Sequence, residues 1–120
     1  MGNIYKVLTE EEWQLSYSSG YIMTDLDESD GFIHFSSSTQ LALTLYLYFK
    51  THEKAVLLKI NEKHIKLEIV YEKTKTGGRS GKFPHLYGKL GIEDVSKSWN
   101  LERNAFELPE EVLIESENSY

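Results

Sequence analysis

The spacing of apolar and polar residues changes period repeatedly along this chain, and each change marks an element. Ile4-Tyr5-Lys6-Val7-Leu8 is a run of strand formers. Thr9, with Glu12 three positions on, then has the spacing of a capping box, so the strand passes directly into a short helix over about Glu10 to Ser18. Ser18-Ser19-Gly20 stops it. Asp27-Glu28-Ser29-Asp30-Gly31 is a predicted turn whose Asp-Gly pair suits positive backbone dihedrals, and Phe32-Ile33-His34-Phe35-Ser36 is a predicted strand. Ser37 and Gln40 repeat the capping-box spacing ahead of the apolar run Leu41 to Phe49. Gln40, Thr44 and Lys50 are its only clearly polar positions, which predicts a helix mostly buried against a sheet.

The second half alternates more quickly. Ala55 to Ile60 and Lys66 to Glu72 are predicted strands, joined through Asn61-Glu62-Lys63-His64, which has room for one helical turn. A glycine-rich basic loop covers Lys73 to Lys82. Phe83-Pro84-His85-Leu86-Tyr87-Gly88 follows as an extended segment, because the residue before a proline is pushed away from helix. Ile92 to Asn100 and Val112 to Ile114 add short strands. The expected architecture is a single α+β domain over residues 1–114, with small, mostly antiparallel sheets and two main helices, and a frayed tail over 115–120.

Composition narrows the chemistry. The 120 residues contain no Cys, which excludes disulfides, thiolate metal ligands and a cysteine nucleophile. His34, His52, His64 and His85 lack short paired spacing, so no metal site is expected. The longest apolar stretch is far below the roughly 20 residues that span a bilayer, and the start, Met1-Gly2-Asn3-Ile4-Tyr5, lacks the regions of a signal peptide, so the expected compartment is the cytoplasm.

The net charge of −6 argues against general nucleic-acid binding, but its distribution says more. Residues 9–30 carry seven acids and no Lys or Arg, whereas residues 73–82 carry four bases and no acid. Three glycines in that basic loop, Gly77, Gly78 and Gly81, free its amides, and with Arg79 and Lys82 they suit a phosphate. A solvated loop fits the same residues. The spacing is not that of a Walker A loop, because Phe83 stands where a magnesium-binding hydroxyl belongs. Glu72, ending the preceding strand, has two readings, pairing with Arg79 or orienting a ribose hydroxyl.

Side chains alternate across a strand, so Phe32, His34 and Ser36 share one face while Ile33 and Phe35 share the other. Phe83, His85 and Tyr87 share a face likewise. A His with a nearby hydroxyl on each of two strands suits a shared sugar or phosphate site if the strands are neighbours. The plainer reading makes Ser36 part of the next helix cap, His34 a half-buried filler and Tyr87 packing at a sheet edge.

The strings Leu26-Asp27-Glu28-Ser29-Asp30-Gly31-Phe32-Ile33-His34-Phe35-Ser36 and Phe83-Pro84-His85-Leu86-Tyr87-Gly88, with Ile4 to Leu8 and Trp13, resemble the small bacterial family catalogued as domain of unknown function 952. The resemblance runs from about Ile4 to about Val95. It implies a fold similar to the ADP-ribosylation fold, in which two small sheets enclose a cleft for NAD or an ADP-ribose group. The early-strand residue that holds the nicotinamide ribose in those relatives maps onto His34, and the hydroxyl shortly after it onto Ser36. Their late-strand catalytic Glu has no motif here; Glu72 and Glu115 are candidates by position only.

The leading expectation is therefore a cleft for a small anionic, nucleotide-like ligand, NAD or an ADP-ribose derivative. His34, Ser36, His85 and Tyr87 carry any chemistry, and Arg79, Lys82, Glu72 and Gly78 bind the ligand. NAD would be a substrate, with no firm cofactor and no metal, and the reaction an ADP-ribosyl or glycosyl transfer at ribose C1. The alternative is a non-catalytic binding or scaffold domain. A phosphoryl- or acyl-transfer enzyme would need Ser36 as nucleophile beside His34.

Overall fold

The computed structural model describes residues 3–49, 52–65, 69–73, 81–102 and 109–117. In chain order its elements are β1 (Asn3–Leu8), α1 (Glu10–Ser19), β2 (Tyr21–Ile22), α2 (Asp25–Asp30), β3 (Ile33–His34), α3 (Leu41–Phe49), β4 (Lys54–Asn61), β5 (Ile69–Lys73), β6 (Lys82–Leu86), β7 (Leu90–Gly91), β8 (Val95–Glu102) and α4 (Glu110–Glu117). Single 3₁₀ turns occupy Ser38–Gln40, Glu62–His64 and Ile92–Asp94.

A central antiparallel sheet ordered β1-β4-β8 has apolar residues on both faces. Ile4, Leu8, Val56, Leu58 and Ile60 pack against Ile22, Ile33, Phe35, Leu86 and Leu90 from two smaller antiparallel sheets, ordered β2-β7 and β3-β6-β5. Tyr5, Val7, Ala55 and Leu57 point the other way, against Leu41 and Leu45 of α3 and Val112 of α4. The result is three layers, with strict alternation along β1 and β4 deciding which residue serves which core.

The chain changes sheet just after β3. His34 belongs to the β3-β6 ladder, Phe35 still donates its N–H to the Pro84 carbonyl at 3.0 Å, and Ser36 then pairs with Tyr5 of β1 through two backbone hydrogen bonds of 2.8 Å. The predicted five-residue strand is thus a two-residue ladder followed by a crossing.

Four helices stand among the described residues, where two main helices were expected. The Asp27–Gly31 segment is the end of α2, not a free turn. Thr24 Oγ1 accepts from the Asp27 amide at 3.2 Å while Asp27 Oδ2 accepts from the Thr24 amide at 3.0 Å, a capping box that the Asp-Gly signal obscured. Gly31 has the positive φ expected of it, 82°, but as the helix C-cap. The predicted strand at Val112–Ile114 is part of α4, where Pro109 followed by Glu110 and Glu111 starts a helix and overrides the β-branched residues. Residues 115–117 belong to that helix, whereas the tail prediction extended over them; residues 118–120 lie outside the described residues. Helix α3 is less enclosed than expected, burying Leu41 and Leu45 but exposing Leu43 and Tyr46. The α+β class and antiparallel pairing stand, and no described helix is long and apolar enough to cross a membrane.

Candidate functional site

Where β3 leaves its sheet for β1, a cleft of about 310 Å³ opens between the two sheets and α2. His34 and His85 lie directly opposite each other in the β3-β6 register, so they share a face and meet edge to face with ring centroids 5.4 Å apart. Both line the cleft. Phe32 lies against the pair, 4.5 Å from the His34 ring, 4.2 Å from His85 and 5.2 Å from Tyr87.

Each imidazole is held by a carboxylate. Asp27 Oδ1 accepts from the His34 amide at 3.0 Å and meets Nδ1 at 2.7 Å, while Oδ2 accepts from Thr24 and pairs with the Lys6 ammonium at 2.8 Å. Lys6 also donates to the His34 carbonyl at 2.8 Å. Burial would raise the Asp27 carboxyl, but the Lys6 charge and the hydrogen bonds from His34 outweigh it and hold Asp27 well below the usual carboxylate range. Burial pushes Lys6 down, with Asp27 opposing. The 2.8 Å contact is the arrangement of an enclosed ion pair, in which each partner compensates the other's charge. On the opposite strand Glu72 Oε1 meets His85 Nδ1 at 2.8 Å and accepts from the Tyr87 hydroxyl at 2.8 Å, which pushes the Tyr87 phenol up. Nε2 of His34 faces Asp30 at 2.9 Å.

The sequence-derived candidates divide accordingly. His34, His85 and Ser36 come together on the cleft wall, and Tyr87, 52% exposed, stands outside it and joins through Glu72. Glu72 positions His85 and Tyr87, whereas Arg79 and Gly78 lie outside the described residues. Lys82 is exposed at the start of β6 and accepts, through its carbonyl, from Gln40 Nε2 at 2.8 Å.

Ser36 is buried, 2.7 Å from Thr44 Oγ1, which donates to the Gln40 carbonyl at 3.2 Å. With the Thr44 proton so used, Ser36 donates to Thr44, and both ring nitrogens of His34 face carboxylates, so Ser36 and His34 do not form a nucleophile–base couple. Lys6, Asp27 and Asp30 were missed as site residues. The signal was available for Lys6, which shares the core face of β1 with Ile4 and Leu8 and so demands a buried partner.

A sequence profile of the family described as "Protein of unknown function (DUF952)" matches residues 7–98. This chain belongs to the DUF952 family. It is similar to the crystal structure of protein CC0527 from Caulobacter crescentus, with 30% identity and a TM-score of 0.74 over 83% of this chain and 86% of that one. The solution NMR structure of CC0527 gives 31% identity and a TM-score of 0.70 over 83% and 84%. No curated protein matches the chain. The matched span of this DUF952 chain contains every described residue of the cleft wall except Tyr5 and Lys6.

The lining has a pronounced sign. Among the described residues, Glu12, Asp25, Asp27 and Asp30 line the cleft against one basic side chain, Lys6, which pairs with Asp27. Glu12 fastens α1 to α2, its two oxygens accepting from the Thr9 amide at 2.9 Å and the Asp25 amide at 3.0 Å. The described part of the wall suits positive charge in a ligand.

Proposed function

We propose that the cleft binds a nucleotide-like ligand, NAD or an ADP-ribose derivative, by its ribosyl end, in a domain with an ADP-ribosylation-like fold. The observation that carries this reading is the opposed His34–His85 pair, each ring fixed by a carboxylate at Nδ1, on the wall of a cleft. The 310 Å³ volume suits a ribosyl group with its base, since small-molecule sites start at roughly 300 Å³. The acidic lining supports the same orientation, with the phosphates directed away from the carboxylates.

If the bound ligand reacts, the chemistry is attack on ribose C1 as nicotinamide departs, an ADP-ribosyl or glycosyl transfer. His34 positions the ribose and the carboxylates stabilise the oxocarbenium-like centre. NAD is the substrate in that scheme. Calorimetry with NAD, ADP-ribose and phosphorylated RNA ends tests it: binding of either of the first two that weakens in His34→Ala is expected, and no binding to any of the three removes the reading.

A second reading, a non-catalytic scaffold, draws support from His85, which is 3% exposed and packed on Phe32. It expects His34→Ala and His85→Ala to lower the melting temperature without changing any ligand-induced shift.

A further inference from the structure

The two imidazoles of the cleft are not equivalent. His34 meets a carboxylate at each ring nitrogen, Asp27 at 2.7 Å and Asp30 at 2.9 Å. His85 meets one, Glu72 at Nδ1, and among the described residues its Nε2 makes no hydrogen bond. An ionised carboxylate only accepts. Carboxylates on both sides therefore suit an N–H at each nitrogen of His34, while the single carboxylate at Nδ1 of His85 favours the tautomer that leaves the Nε2 lone pair open. One ring carries a proton to give and its neighbour has a place to receive one.

We propose that His34 and His85 are the acid and the base of a hydrolase for N-ribosyl bonds whose leaving group is a neutral nucleobase, with Asp27 and Glu72 as positioning residues. This rests on reading the cleft as a ribosyl site. In the reaction the C1–N bond breaks, its electron pair goes to the base nitrogen, and that nitrogen takes the proton from Nε2 of His34. A water oxygen bonds to C1 and its proton passes to Nε2 of His85. Free base and ribose result, and proton exchange with solvent resets the pair. Asp30, 40% exposed on the last turn of α2, is free to release Nε2 to the leaving base. Its carboxylate, with Asp25 and Glu12, then faces the positive charge at C1. A pyridinium leaving group carries its own positive charge and needs no such acid, so the His34 proton distinguishes nucleosides and nucleotides from NAD as substrates.

The test incubates the protein with adenosine, AMP and NAD and measures free base by chromatography. Adenine release is expected from adenosine or AMP, falling about 100-fold or more in His34→Gln and in His85→Gln. Nitrogen-15 spectra of labelled imidazoles in the unmutated protein provide a readout that needs no variant. They should show His85 as the Nδ1–H form and His34 protonated at both nitrogens, and Glu72→Ala should convert His85 to Nε2–H while leaving His34 unchanged. No adenine release, release unaffected by either His substitution, or a His85 ring found as Nε2–H overturns the proposal. Binding of NAD or ADP-ribose without base release overturns it while the ribosyl site stands, and absence of all binding removes both.

Discussion

The Lys6 ammonium meets the Asp27 carboxylate at 2.8 Å with side-chain exposures of 3% and 0%, an enclosed ion pair in the wall of the cleft. Removing one partner leaves the other charge without compensation, the costly case for buried pairs. Asp27→Ala should therefore lower stability by about 3–5 kcal/mol, and Lys6→Met combined with Asp27→Leu should recover part of that loss. Recovery stays incomplete because Asp27 also caps α2 and holds His34. Urea unfolding of the native protein and the two variants checks the order, and a double variant less stable than Asp27→Ala would contradict it.

The same pair sets an acid limit. Asp27 titrates below its unfolded value of about 3.9, so its ionised form contributes stability above that pH and the contribution is lost as pH falls through the folded-state value. Unfolding free energy should drop below about pH 4 more steeply in the native protein than in the Lys6→Met/Asp27→Leu variant. Equal slopes would mean that other carboxylates govern acid unfolding.

Tyr5 sets an alkaline limit. Its hydroxyl donates to Glu115 of α4 from a fully buried ring, and burial followed by that hydrogen bond raises the phenol above its usual value. The neutral phenol stabilises the fold below the unfolded value of about 10, and this is lost as pH rises beyond it. Tyr5→Phe should cost about 1 kcal/mol near neutrality and flatten the loss above pH 10, as followed by thermal melts across that range.

Thr24 supports the site from a distance. Its hydroxyl closes the N-terminus of the six-residue α2, so Thr24→Ala should cost about 1 kcal/mol and loosen Asp27 against His34. The expected signature is a shift of the His34 ring resonances without a comparable shift at His85. Identical spectra would separate the helix cap from the imidazole.

What was legible in the sequence followed from local rules. The capping box at Thr9 and Glu12, the strands β1 and β4 and the extended Pro84 segment all agree with the structure because local preference and tertiary packing coincide there. Helix α2 was hidden because Thr24 and Asp27 form a capping box with Asp at a position where Glu or Gln is the usual signal. The pairing of His34 with His85 joins residues 51 positions apart, and alternation assigns each a face without saying which strands are neighbours. Glu72 was visible as a strand end but not as the partner of His85, since that contact is a diagonal across the β5-β6 ladder.

The crossing at Phe35 acts as a ruler. His34 is fixed by its register against His85 and Ser36 by its register against Tyr5, with a single residue between them. Inserting or deleting one residue there puts one ladder out of step and turns a set of core side chains outward. This stretch can therefore change identity but not length, so gain or loss of chemistry at the cleft must come through substitution, with the spacing of its two anchors preserved.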